Sequence, residues 1–394
     1  MATEAARIQE TQENPSMNFD FSPEQQQLRD QARRYLEEHC AQRSREILEK
    51  GGGYDKALWK GLADLGLIGV AIPEEYGGAG AGQLELCVIA EEFGRTLAPV
   101  PFASTVYLAA ELIMAAGSDA QKQAWLPKIA AGEAIGTVAF VEGPGNPTPA
   151  GIKLQAAGNE LSGTKSLVLD GENADFAIVV ARSSAGADAR GISLFIVDLN
   201  GPGVTRTPVD TVDPSRPQAA LSFDRAKGDP LGKTGEGWDL FLRVLDRAAV
   251  LVAFEQVGGS DRALEMARDY ALDRMAFGRQ IGSFQAIKHM LADMYVAATL
   301  ARSNAYYGAW ALSTNSPELA EAAANARVSA TTAFQLCAKN NTQTHGGMGF
   351  TWEFDCHLFY RRSNLLAVML GSQTYWEDAL ITRMRQRNTT SEAA

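Results

Sequence analysis

Residues 274–294 read RMAFGRQIGSFQAIKHMLADM, and this stretch decides how the rest of the chain is organised. A helical pattern of apolar and small residues (Ala263, Leu264, Met266, Ala267, Tyr270, Ala271) runs up to Asp273. Phe277-Gly278-Arg279-Gln280-Ile281-Gly282 interrupts it, and a second helical pattern restarts near Ser283. Two glycines and two arginines therefore share a short connection between helices. Such a connection exposes backbone N–H groups and guanidinium forks, which suit a diphosphate. The competing reading is an ordinary corner between helices with a solvated basic face.

Composition narrows the field. A chain of 394 residues can bury a large core without staples. Its four cysteines, Cys40, Cys87, Cys337 and Cys356, show no C-x-x-C spacing, which points to a reduced, cytoplasmic protein. Cys356-His357 is the one adjacent pair, but neighbours on a helix or strand do not converge on one metal, so no metal site is expected. A formal charge of −11 argues against nucleic acid or an anionic membrane surface as partner, so an anionic ligand needs a local basic pocket. No run of 18 apolar residues occurs, and MATEAARIQETQENPS lacks the features of a secretory signal. Residues 1–17 are expected to be a disordered polar extension.

From Ser22-Pro23-Glu24-Gln25, which combines an N-cap, a proline at N1 and a capping-box glutamine, helical patterns recur over 28–48, 59–65, 84–93 and 105–115. Ser118-Asp119-Ala120-Gln121 is a second capping-box candidate, opening a helix that should end near Leu126-Pro127. Residues 18–132 thus read as an all-helical domain. From Ile135 the period changes to short β-rich runs separated by turn residues: 137–141, 152–155, 166–169, 176–181, 192–198, 204–209 and 219–223. That pattern predicts a small antiparallel barrel or sandwich over 133–232. After the glycine-rich segment 232–237, helical periodicity returns. Helices are expected over 238–273, 283–313 and from Ser316-Pro317-Glu318 to about 341, in a bundle spanning 233–386 with a tail over 387–394.

The order Arg274, Phe277-Gly278, Gln280, Gly282, Phe284-Gln285, Lys288, Leu291-Ala292-Asp293-Met294 resembles the C-terminal motif of acyl-CoA dehydrogenases. A second block, Gln343-Thr344-His345-Gly346-Gly347-Met348-Gly349-Phe350, resembles the same family's Q-x-x-G-G-x-G-aromatic element. The resemblance extends from about Phe19 to about Arg385. It implies the three-domain α+β fold of that family, FAD as cofactor and an acyl-CoA thioester as substrate. It also implies a homodimer, homotetramer or heterotetramer with a related subunit, and an electron acceptor such as electron-transfer flavoprotein. Carried over, Arg274, Phe277, Gln285, Gln343, Gly346 and Gly347 would hold the FAD diphosphate and adenosine, partly across a subunit boundary. On the β side the positions facing the flavin ring are Phe140, Val141, Leu167 and Leu169, where family threonines are replaced by apolar groups. Asp246 matches a substrate-side aspartate.

α,β-Dehydrogenation requires a carboxylate to take the α-proton in a dry site while the flavin accepts hydride from the β-carbon. The family places its glutamate in one of two positions, and they correspond here to Leu370 and Ala248, neither of which can carry a proton. Glu255 lies seven residues past Ala248, about 10 Å along a helix, and Glu377 is similarly far from Leu370. The catalytic base is therefore unknown, with Glu255 a weak candidate. A base-less subunit that needs a partner follows as the leading expectation. The alternatives are a non-catalytic structural partner and a flavin oxidase on the same fold.

Overall fold

A computed structural model describes residues 21–40 and 43–392; the expected disordered extension lies outside them. The chain enters helix α1 (Pro23–Cys40) through a complete capping box, in which the Ser22 N–H donates to Gln25 Oε1 at 2.9 Å and the Gln25 N–H donates to Ser22 Oγ at 3.3 Å. Helices α2 (Arg43–Glu49), α3 (Lys56–Asp64) and α4 (Gln83–Thr96) follow. A π-helical segment (Ala103–Ala110) leads into α5 (Glu111–Ala116), and α6 (Asp119–Ala130) opens on the Ser118 capping box. α6 runs past the expected stop at Pro127. That residue lacks a donor, but its carbonyl still accepts the Ala131 N–H at 3.0 Å and the last turn survives.

Eight strands follow: β1 (Gly136–Ala139), β2 (Gln155–Ala157), β3 (Glu160–Leu169), β4 (Phe176–Arg182), β5 (Ile192–Asp198), β6 (Val204–Val209), β7 (Gln218–Lys227) and β8 (Asp229–Leu231). They form one sheet in the order β6-β7-β3-β2-β4-β5-β8, with β1 also paired to β4. This corrects the expected antiparallel barrel or sandwich. The sheet is open and mixed, because β1 and β2 both run parallel to β4. Period-2 alternation marks strands but not their partners. The signal for parallel pairing is β4 itself, whose seven residues are all buried, as strands covered on both faces are. Helices supply one cover: Trp125 of α6 packs on Phe176 with ring centroids 4.2 Å apart.

The helical region resumes with α7 (Gly237–Asp273), 37 residues long and so about 55 Å. A two-stranded ribbon, β9 (Met275–Ala276) and β10 (Arg279–Gln280), joins it to α8 (Gln285–Ser313). Then come α9 (Leu319–His345), α10 (Cys356–Val368) and α11 (Gln373–Glu392). α9 begins three residues later than Ser316 suggested, since that serine's Oγ caps a preceding turn by accepting the Glu318 N–H. The expected tail is helical up to Glu392. α4 crosses α7 at van der Waals contact: a Cβ on Gly258 would lie 1.9 Å from the Glu91 carbonyl oxygen, and one on Gly94 would lie 1.8 Å from that of Glu255. Among the described residues no helix is long and apolar enough to cross a membrane.

Candidate functional site

The stretch that organises the sequence forms a tight hairpin. Phe277 (φ 52°) and Gly278 (φ 77°) are both left-handed, as the two central residues of a type I′ turn must be, and the ribbon pairs Arg279 with Ala276. Phe277 is thereby thrust outward at 95% exposure. Arg279 is held over the Phe284 ring, 4.0 Å from its centroid. The second motif block closes on the first, although the two are some seventy residues apart in sequence. Tyr270 stacks on His345 at 4.0 Å, and Thr344 Oγ1 donates to Met290 Sδ at 3.5 Å. Arg274, Phe277, Gln285, Gln343, Gly346 and Gly347 all lie exposed on this edge of the bundle. Gly346, at φ 59° and ψ −136°, occupies backbone space that only glycine enters readily. A Cβ on Gly346 or Gly347 would meet no other atom of the chain within 4 Å, so both face open space.

The four β-side positions divide. A bulge between Lys165 and Val168 in the β3–β7 pairing turns Leu167 out, at φ 50° and 50% exposure. Val141 is half-buried beside it, its carbonyl accepting the Ser166 N–H at 2.8 Å. Phe140 is buried with its ring 5.0 Å from that of Phe241. Leu169 is buried too, and its carbonyl accepts Thr137 Oγ1 at 2.6 Å. Glu142 pins the adjoining loop by accepting N–H bonds from Lys153 and Leu154 and pairing with Lys165 Nζ at 2.5 Å. Burial brings the Lys165 ammonium down to about 8 despite that partner.

Ala248 and Leu370 are both buried apolar positions. Leu370 sits in the α10–α11 turn, which is tied to the sheet region by the Ser372 N–H donating to Asn146 Oδ1 at 3.2 Å. Glu255 is fully buried and paired with Arg216, Nη2 to Oε2 at 3.0 Å. It is thus engaged with a fixed cation. The pair belongs to a larger buried ionic group that sequence reasoning missed, because its members are spread over α7, α9, α10, the turn after β3 and the loop 210–217. Arg362 of α10 donates to Asp213 Oδ2 at 2.5 Å and to Ser215 Oγ at 2.9 Å. Asp170 accepts Ser104 Oγ at 2.6 Å, and burial pushes its carboxyl up to about 6. Burial pushes the Asp213 carboxyl up, but Arg362, Ser215 and Arg216 together outweigh it and hold that carboxyl below its ordinary value. Arg327 of α9 has no carboxylate partner among the described residues and donates to Gln256, Thr331 and the Leu366 carbonyl; burial lowers it to about 9.

Asp246 pairs with Arg383 at 2.8 Å, and burial raises its carboxyl to about 6. It also borders a cavity of about 630 Å³ that α5, α7 and the α8–α9 turn enclose, with Leu240, Arg243, Val244 and Arg247 on its α7 wall. Asp246, the residue the resemblance sets on the substrate side, lies on its wall, and the other four make an i, i+3, i+4, i+7 stripe on α7.

Three segments of the chain match family profiles in order: acyl-CoA dehydrogenase N-terminal domain over 22–133, middle domain over 144–226 and C-terminal domain over 235–384. The chain is 32% identical over 354 residues to the acyl-CoA dehydrogenase IpdE2 of Mycobacterium tuberculosis, covering 89% of this chain and 93% of that one. Among solved structures, butyryl-CoA dehydrogenase of Megasphaera elsdenii superposes with a TM-score of 0.87 at 26% identity, covering 93% of this chain and 100% of that one. A chain of the ChsE4-ChsE5 complex of Mycobacterium tuberculosis gives 0.85 at 27% identity, covering 94% and 99%. The protein belongs to the acyl-CoA dehydrogenase family.

Proposed function

We propose that this member of the acyl-CoA dehydrogenase family binds FAD and takes part in α,β-dehydrogenation of an acyl-CoA thioester as a subunit without its own catalytic base. Alanine at 248 and leucine at 370, both buried and apolar, carry this reading. The exposed edge fits a cofactor diphosphate. Arg274 offers a bidentate fork, Gln285 and Gln343 offer amide donors, and Gly346-Gly347 leaves backbone open to a ligand. Leu167 and Val141 would meet the ring from the sheet side. Bound flavin would supply the hydride acceptor. This chain would contribute binding, orientation and the exclusion of water from the apolar surroundings of Ala248 and Leu370, while a related subunit supplies the carboxylate.

The edge is formed by a single chain yet lies wholly at the surface, and the apolar side chains beside it, Phe277, Met275 and Leu272, are more than half exposed. Patches of this kind mark a contact, which supports a dimer or heterotetramer whose partner completes the site. Electron-transfer flavoprotein is the acceptor class the reading implies.

The test begins with the visible spectrum and mass of the purified chain, followed by anaerobic titration with a panel of acyl-CoA thioesters. Flavin bands that acyl-CoA does not bleach, with bleaching gained by Ala248→Glu or Leu370→Glu, are the expected result. Bleaching of the unaltered protein alone would sink the base-less assignment. Absence of flavin from every oligomeric form would sink the cofactor assignment.

A further inference from the structure

The buried ionic group around Glu255 and Arg216 plays no part in the proposed chemistry, and its side chains are only half engaged. Tyr107, Asp170, Arg216, Glu255, Arg327 and Arg362 are each at most 1% exposed. The charged ones are fixed at one end. Glu255 holds Arg216 Nη2 with Oε2, Asp170 holds Ser104 with Oδ2, and Arg362 uses Nε and Nη2 on Asp213, Ser215 and the Leu97 carbonyl. At their other ends Glu255 Oε1, Asp170 Oδ1, Arg216 Nε and Nη1, Arg362 Nη1 and Arg327 Nε have no hydrogen-bond partner among the described residues, and neither has the Tyr107 hydroxyl. The groups are near neighbours: Asp170 feels the charges of Arg216, Arg362 and Glu255, and Tyr107 those of Glu255 and Arg216. Buried polar atoms are rarely left unpaired. The π-helical segment Ala103–Ala110 brings Tyr107 in, turning three hydroxyls onto three other elements: Ser104 to Asp170, Thr105 Oγ1 to the Gly136 carbonyl of β1 at 3.2 Å, and Tyr107 towards Glu255 of α7. π-helical turns are rare and recur at functional sites.

We infer that this interior is a binding site for ordered water, shared by Tyr107, Asp170, Arg216, Glu255, Arg327 and Arg362. The charges select the ligand. An anion would satisfy the guanidinium donors but would face Glu255 and Asp170. A cation would satisfy the carboxylate oxygens but would face three arginines. Water both donates and accepts and carries no charge. Turning a free end onto a neighbour instead would break the bond at the fixed end. A buried water makes about three hydrogen bonds, so these unpaired atoms require about two or three molecules. Tyr107 lies in the segment matching the family's N-terminal domain, Asp170 and Arg216 in the middle one, and the other three in the C-terminal one. The water is therefore a joint common to all three segments.

A crystal structure of the full-length protein that resolves ordered solvent tests the site, with a second crystal soaked in bromide and measured at the bromine edge. About two or three waters are expected, each within hydrogen-bonding reach of several of the unpaired atoms, with no anomalous peak among them. Direct bonds between the groups with no solvent peak, such as Tyr107 Oη on Glu255 Oε1, would overturn the assignment, and so would a bromide peak. Tyr107→Phe tests it in solution, because the change keeps the ring and removes only the hydroxyl. Where water pairs that hydroxyl, the variant should melt about 1–2 °C lower, and its crystal should keep the water on Arg216 and Glu255. Burying a hydroxyl that has no partner is unfavourable, so an equal or higher melting temperature would also overturn the assignment.

Discussion

The edge bearing Arg274, Gln285 and Gln343 and the interior bearing Arg216, Glu255 and Arg362 use similar functional groups in opposite ways. In the interior, arginines and carboxylates are spent on one another: Arg216 on Glu255, Arg362 on Asp213 and Ser215. At the edge, guanidinium, amide and glycine backbone are positioned by packing contacts such as Tyr270 on His345 and left uncommitted. A charge that has a partner within the chain holds the fold together, and one that is held in place without a partner is available to a ligand. Position alone does not separate them, since Arg216 and Arg274 both lie next to segments that join regular elements.

The largest effect should come from removing one member of the interior pair. Glu255→Ala should destabilise the protein by about 3–5 kcal/mol, because Arg216 stays buried and unpaired. Arg216→Met combined with Glu255→Leu should recover most of that loss. Urea midpoints for the two variants decide the matter, and a single-variant loss below about 1 kcal/mol would contradict the assigned burial. At the edge the pattern should invert. Arg274→Gln is expected to leave unfolding of the apoprotein unchanged while weakening FAD by about ten- to a hundred-fold, as loss of a charge-assisted bond does, read by flavin fluorescence titration.

Gly346→Ala tests the backbone at the edge. Alanine at φ 59° and ψ −136° should cost about 1–3 kcal/mol through strain, visible as a lowered melting temperature with or without cofactor. An unchanged melting temperature would mean that the turn relaxes freely. pH separates the interior groups further. The Asp170 carboxyl has a folded value of about 6 against an ordinary 3.8. Its contribution to stability is therefore complete below about pH 4 and is lost as pH rises through about 6. Asp170→Asn should remove that decline, flattening melting temperature between pH 4.5 and 7.5, and persistence of the slope would assign it elsewhere. The smallest effect belongs to Phe277→Ser. Unfolding of the isolated chain should change by less than about 0.5 kcal/mol, although the same variant should weaken self-association in sedimentation.

What the sequence made legible follows from the range of each interaction. Capping boxes at Ser22 and Ser118 are local, and both form as read. Strand limits at 192–198 and 204–209 agree with the structure to the residue, because turn residues bracket them. Strand pairing was not legible: nothing local tells β1 to lie parallel to β4 rather than antiparallel to its successor. At the candidate site the two motif blocks were readable as separate segments, and their meeting through Tyr270 and His345 followed only from the fold. Glu255 illustrates the limit. Seen in sequence it was an isolated carboxylate two turns from Ala248, whereas its partner Arg216 lies 39 residues earlier in a loop with no helical or strand pattern. The cavity beside Asp246 was legible only at that one residue, since its walls come from five separate stretches, at 71, 83, 111–115, 240–247 and 315–320.

That loop, residues 210–217, bears on inheritance. Asp213 receives a guanidinium from α10 and Arg216 sends one to α7, so the loop is held by two charge pairs of opposite sense. Both anchors lie in the segment matching the family's middle domain, and both partners lie in the segment matching its C-terminal domain. Asp170 adds a link from the middle segment to Ser104 in the N-terminal one. Grafting the middle segment from a relative would strand Glu255 and Arg362 unless their counterparts travelled with it. Recombination within this lineage should therefore preserve residues 213, 216, 255 and 362 as a set, even where the surrounding helices and strands are exchanged freely.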